Sequence, residues 1–311
     1  MARIVFFGNE RLATGVTTTA PTLQALIKQG HEVVAVVSHH EAATSRKART
    51  LEIADVAQSH GIPVLLPDKP AEILDQLTSF RADIGVLVAY GKIVPQSIID
   101  VFPHGIINIH PSALPKHRGP TPLESVILSG EPTTAVSVMQ LVKAMDAGPV
   151  FAQNEVALTG SETKQALADT LLATGSSMIT NLLPDILNGS LPPTPQNDAD
   201  ATFDMLIQKQ DGQIDWRKPA ARIEREIRAF AGWPKSYTQI GGLDIVLTAA
   251  RVQNRTQSDS PAPGTIQVVN KEIIVGCGED DLVVLTLIPA GKTEMSAEAF
   301  INGYGNKLNL L

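Results

Sequence analysis

The sequence predicts an α/β protein in two parts: a mostly parallel sheet covered by helices, then a small antiparallel β-barrel. Three observations lead there. Short Val- and Ile-rich runs alternate with helical patterns over the first two hundred residues. A polar stretch with three prolines, Gly189 to Ala201, then interrupts the pattern. Beyond it, short strand-like runs succeed one another with turn residues between them. The expected division is a first domain over 1–188, a linker over 189–208 and a barrel over 209–311.

The 311 residues suit one large domain or two ordinary ones, and 43% hydrophobic with 18% charged residues is the balance of a folded protein. Arg3–Phe7, Glu32–Ser38, Ile84–Ala89 and Gly105–His110 are the expected strands of the first part, short, apolar and bounded by turn residues. Pro21–Gln29 and Leu51–His60 are expected helices, with Gly30 and Gly61 placed to end them, and Ala71–Phe80 is a third. This β-α-β alternation makes the sheet Rossmann-like, and ligands of such sheets sit beyond the carboxyl ends of the strands. In the second part, Ala220–Phe230 reads as an amphipathic helix with Ile223, Ile227 and Phe230 on one face. Ser236–Ile240, Asp244–Thr248, Gly264–Val269, Glu272–Gly276 and Leu282–Leu287 follow as strands of an OB-like barrel.

Several classes are disfavoured. Gly8-Asn9-Glu10 does not continue into a dinucleotide fingerprint, and no phosphate-binding P-loop motif occurs. A lone Cys277 allows no internal disulfide and no cysteine-rich metal site. Adjacent His39 and His40 diverge and lack acidic or cysteine partners nearby, so no metal is expected. No apolar run is long enough to cross a bilayer, and Met1–Gly8 reads as a first strand and not as a signal peptide. Cytoplasmic residence without a membrane partner is the expectation. The net charge of −7 argues mildly against nucleic acid.

The stretch from Gly105 to Gly119 carries the chemistry. Ile106, Ile107 and Ile109 deliver Asn108 and His110 to a strand end, and side chains two apart in a strand share a face. An amide donor beside an imidazole suits a reaction that builds negative charge on a carbonyl oxygen while a proton moves nearby. That is acyl-transfer chemistry.

Val88-Ala89-Tyr90-Gly91, Asn108-x-His110-Pro111-Ser112, Leu114-Pro115 with Arg118-Gly119, and Met145-Asp146-x-Gly148 together resemble, in order and spacing, the formyltransferases that use 10-formyltetrahydrofolate. Ile214-Asp215-Trp216 and Ile227–Phe230 resemble the family's C-terminal module, and Trp233-Pro234-x-Ser236 its tRNA-modifying branch. The resemblance implies a catalytic trio of Asn108, His110 and Asp146. It implies a folate pocket lined by Leu87, Val88, Ala89, Tyr90 and Gly91 and by Ser112, Ala113, Leu114 and Pro115. It implies transfer of the formyl group of 10-formyltetrahydrofolate to the amine of initiator methionyl-tRNA by a monomer.

Contacts to the RNA are expected from Arg46, Lys47 and Arg49, in a loop resembling the family's insertion at the acceptor stem, and from Lys209, Arg217, Lys218 and Arg222. Two segments depart from the family pattern: His39–Ser45 replaces a segment containing Pro and Gly, and Asn9–Ala20 is a longer polar stretch where a short turn usually borders the aminoacyl pocket. The rival readings are a formyltransferase for an amino-sugar nucleotide or other small amine, a hydrolase in which water replaces the amine, and a folate- or RNA-binding protein without catalysis.

Overall fold

The computed structural model describes residues 1–39, 51–255 and 261–305. The chain divides into two compact units: Met1–Val126, Glu131–Thr159 and Gln165–Met205 form the first, and Ile127–Gly130, Gly160–Lys164 and Leu206–Leu311 the second.

In the first unit, β1 (Arg3–Gly8), β2 (Glu32–Val37), β3 (Val64–Leu65), β4 (Ile84–Val88), β5 (Ile106–His110), β6 (Thr133–Gln140) and β7 (Val150–Ala157) form one sheet, ordered β3-β2-β1-β4-β5-β6-β7. Pairings from β3 to β5 are parallel; β6 and β7 are added antiparallel. β4 and β5 are buried at every position, as strands covered on both faces must be. The strand order turns around beside β1, so the ends of β1, β4 and β5 open together on one edge.

The helices are α1 (Pro21–Lys28), α2 (Glu52–Ser59), α3 (Leu74–Ser79), α4 (Gln96–Ile99), α5 (Pro122–Ser129) and α6 (Lys164–Asn188). Ala71–Phe80 is a 3-10 turn over Pro70–Ile73 running into α3, since Pro70 sits where a helix starts. The first N–H groups of α1 get no cap from its preceding residue, Ala20. Glu10, fully buried, supplies it instead: Thr22 N–H donates to Oε2 and Leu23 N–H to Oε1, each at 2.9 Å. Burial pushes the Glu10 carboxyl up to about 7 despite these bonds.

The segment expected as linker has no strand or helix of its own beyond a 3-10 turn at Asp198–Asp200, and its first part, through Met205, belongs to the first unit. Thr194 exchanges backbone hydrogen bonds with Val150 at 2.8 Å, and Phe203 bridges Arg118. The Thr194, Thr202 and Met205 carbonyls accept from Val150 N–H, Arg118 N–H and the Thr121 hydroxyl, so the segment's backbone finds its partners on the unit it lies against.

The second unit carries α7 (Ala220–Ala229), β8 (Ser236–Ile240), β9 (Leu243–Gln253), β10 (Ile266–Val269), β11 (Glu272–Gly276), β12 (Asp281–Pro289), β13 (Met295–Ser296) and α8 (Ala297–Tyr304). Its sheet is antiparallel, ordered β10-β11-β12-β9-β8 with β13 on β12. Ile223 and Ile227 of α7 pack with Ile245, Leu247, Leu282 and Phe300 in its core. β9 and β12 run longer than their sequence patterns suggest, because register shifts near Thr286 let the pairing continue past a break in alternation.

Candidate active site

A cavity of about 500 Å³ opens at the carboxyl ends of β1, β4 and β5, within the usual size range for a small-molecule site. Asn108, His110 and Asp146 all line it. The even spacing of Asn108 and His110 puts both on one side of β5, which is held in register by Leu87 on one flank and by Met139 and Ser137 on the other. They are only 6% and 4% exposed.

Asp146 comes from the loop after β6, in the left-handed region at φ 49. Its Oδ2 accepts the Gly119 N–H at 2.8 Å, which leaves Oδ1 to face His110 Nδ1 at 3.7 Å. The loop is held from below by Gln196, whose amide donates to the carbonyls of Asp146 and Gly148 at 2.8 and 2.7 Å. Gly148 is required: a Cβ there would lie 1.8 Å from the Gln140 carbonyl oxygen.

The other nitrogen of His110 is committed. Nε2 stands 2.9 Å from the carbonyl of His117, and a carbonyl only accepts, so Nε2 carries the hydrogen. In its neutral form the ring therefore turns its acceptor nitrogen, Nδ1, towards Asp146 and the cavity. No hydrogen bond among the described residues engages the Asn108 amide, so its donor is available to whatever enters.

Of the folate set, Leu87, Ala89, Tyr90 and Gly91 line the cavity. Val88 does not: its side chain points to the opposite face and is buried, and its carbonyl accepts the Glu10 N–H at 3.3 Å. Tyr90 packs edge-on against Phe7 and His39, and burial pushes its hydroxyl up to about 12, so the wall it forms is uncharged.

Ser112, Ala113, Leu114 and Pro115 lie off the cavity wall. Polar side chains on β6 and β7 capture this turn: Ser137 Oγ donates to the Ser112 carbonyl at 2.7 Å, and the Gln153 amide donates to the Leu114 carbonyl at 2.6 Å. Nothing in the turn's own sequence could have revealed those distant partners.

Three parts of the wall were not anticipated as site residues. Asn9, Arg11 and Leu12 lie just past β1, in the polar stretch expected only to border the acceptor pocket; His39 lies past β2, and Lys143 and Met145 precede Asp146. The usable signal was position, since each follows or sits near a strand end on the open edge of the sheet. Arg11 Nε is bonded to Glu52 at 3.1 Å, and Lys92 Nζ to the carbonyls of Pro67 and Asp68 at 2.8 Å.

The basic residues expected to meet RNA are a different matter. Arg46, Lys47 and Arg49 lie outside the described residues. Lys209 sits on a 3-10 turn in the second unit. Arg217 is exposed but grips Asp215 at 2.8 Å, a contact that holds the Asp215 carboxyl at about 2. Lys218 and Arg222 both bind Glu226, at 2.7 and 3.0 Å, and Arg222 also donates to the Leu128 carbonyl at 2.8 Å. Phosphate contacts by these three would compete with partners already in place.

Cys277 lies in the core of the second unit, and burial pushes its thiol up to about 11, so it offers no thiolate. Among the described residues, no group of three His, Cys, Asp or Glu side chains could hold a metal, and no helix is long and apolar enough to cross a membrane.

A mostly parallel sheet with an amide, an imidazole and a carboxylate gathered at its carboxyl edge suits an enzyme of the acyl-transfer class. The chain belongs to the formyl transferase family: residues 2–183 match its transferase domain and residues 206–305 its C-terminal domain. It is 35% identical to the methionyl-tRNA formyltransferase of Pseudoalteromonas translucida, across 97% of this chain and 94% of that protein. It is 36% identical to the methionyl-tRNA formyltransferase of Roseiflexus castenholzii, across 97% and 96%. The fold is shared with an N-formyltransferase from Helicobacter canadensis in complex with folinic acid and dTDP-3-aminofucose, at a TM-score of 0.67, 16% identity and coverage of 91% and 97%.

Proposed function

We propose that this chain transfers the formyl group of 10-formyltetrahydrofolate to the amino group of methionyl-tRNA. The observation that carries the chemistry is the convergence of Asn108, His110 and Asp146 on one cavity. The acceptor rests on the named relatives, which match nearly the whole chain.

In this reading the folate ring enters beside Leu87, Ala89, Tyr90 and Gly91, where apolar side chains and strand-end backbone groups are both at hand. The neutral amine attacks the formyl carbon, a new N–C bond forms, and the carbonyl oxygen becomes an oxyanion. Asn108 donates a hydrogen bond to that oxygen. Collapse then breaks the bond from the formyl carbon to N10. One proton must leave the attacking nitrogen and one must reach N10.

With Nε2 held by His117, the nitrogen free to exchange that proton is Nδ1. Asp146 faces it at 3.7 Å, close enough to stabilise an imidazolium and to orient a bridging water. It is not itself the nucleophile or the acid. Its Oδ2 stays with Gly119, so the carboxylate keeps one orientation throughout.

The test is direct. Purified protein is incubated with 10-formyltetrahydrofolate and charged initiator tRNA, with charged elongator tRNA and an amino-sugar nucleotide as controls. Formylation of the initiator alone supports the reading. Formylation of the sugar and neither tRNA moves the chain to the small-amine branch.

A further inference from the structure

The carbonyl that holds His110 does not sit there by default. His117 adopts φ 59, in the left-handed region, which is uncommon outside glycine although histidine enters it more readily than most, and its surroundings fix it there. Those surroundings come from the segment 202–204. Thr202 Oγ1 accepts the His117 N–H at 2.8 Å, and Asp204 Oδ1 lies 3.1 Å from His117 Nδ1. The His117 and Asp204 side chains are 16% and 7% exposed.

Asp204 Oδ2 has no hydrogen-bond partner among the described residues. A buried carboxylate with one oxygen unsatisfied is costly, and such groups persist where something else requires them. Joining the chain to the loop does not require it. Arg118 N–H already donates to the Thr202 carbonyl at 2.9 Å, and Asp204 N–H to the Arg118 carbonyl at 2.8 Å. What the side-chain pair adds is control over the rotation of residue 117, hence over the direction of its carbonyl.

We propose that His117 and Asp204 are positioning residues: by holding the His117 carbonyl against Nε2 of His110, they keep the hydrogen on Nε2 and leave Nδ1 to face Asp146. A second imidazole–carboxylate pair thus stands behind the first and sets its tautomer. The inference rests on His110 being the proton-handling group of the proposed reaction.

The experiment measures the two ring nitrogens of His110 by ¹⁵N NMR, alongside kcat and KM, in Asp204→Ala, Asp204→Asn and His117→Asn. The wild-type ring should show the Nε2–H tautomer. In Asp204→Ala the signature should shift towards a mixture, with kcat down about tenfold, inside the loss of up to about 10²-fold that small misplacements cause, and with KM for the folate within about twofold. Asp204→Asn keeps an acceptor oxygen and should restore most of both.

If Asp204→Ala does not fold, His117→Asn decides, because asparagine tolerates the same backbone while removing the imidazole. An unchanged tautomer signature in a folded variant with lowered kcat would overturn the proposal, as would wild-type kcat in a variant lacking the pair. The NMR readout needs no acceptor, so failure to formylate any tRNA would count against the proposed activity and leave this inference to its own test.

Discussion

Replacing Asp146 by asparagine keeps the shape of the site and removes only the charge. The side-chain oxygen can still accept the Gly119 N–H, now 2.8 Å from Oδ2, so the loop should hold. The amide nitrogen then takes the place of Oδ1, 3.7 Å from His110 Nδ1, and faces a lone pair it can donate to. The neutral ring is content; the imidazolium is not. A full pair at that separation is worth about 4 kcal/mol at an effective dielectric of about 20. A complete imidazolium in the transition state would therefore lose about 10³-fold in rate, and a half-transferred proton about 30-fold. Single-turnover formylation at saturating donor and acceptor measures this loss, and a thermal melt of the same sample shows whether the fold is intact. An Asp146→Asn enzyme within about threefold of wild type, equally stable, would mean that the carboxylate charge takes no part and that His110 does not become charged.

Three further outcomes follow from single contacts. Asn108→Ala should lower kcat by about 10²- to 10³-fold, the usual loss of an oxyanion donor, with KM for the folate nearly unchanged; a change confined to KM would make Asn108 a ground-state contact. Glu10 is raised from 4.5 to about 7, so the folded state favours its protonated form. Its stabilising effect is whole below about pH 4.5 and is lost as pH climbs through 7, about 3 kcal/mol in all. Urea unfolding of wild type and Glu10→Gln should show that fall in the wild type alone, and parallel curves would remove Glu10 from the account. Gly148→Ala forces a methyl against the Gln140 carbonyl oxygen and should destabilise by about 3 kcal/mol or more; a melting temperature equal to wild type would show that the Asp146 loop is freer than its contacts imply.

The local pattern of residues was enough to read most elements, because strands covered on both faces must be continuous runs of apolar side chains and Gly30 and Gly61 end helices by chemistry of their own. It was also enough to pair Asn108 with His110, since a period of two is a property of any extended chain. β6, β7 and α6 were not legible: β7 is half exposed and mixed in composition, and Ser176, Thr180 and Pro184 blur the helical stripe of α6. What the tertiary structure alone decided concerns partners far apart in the chain. That Glu10 caps α1, that Ser137 and Gln153 draw Ser112–Pro115 off the cavity wall, and that Glu226 occupies Lys218 and Arg222 are consequences of unsatisfied hydrogen-bonding groups seeking the nearest partner in space. The tautomer of His110 belongs with these. It is set by a carbonyl seven residues away and, as proposed, by a carboxylate eighty-seven residues from that carbonyl, a distance over which sequence carries no geometry.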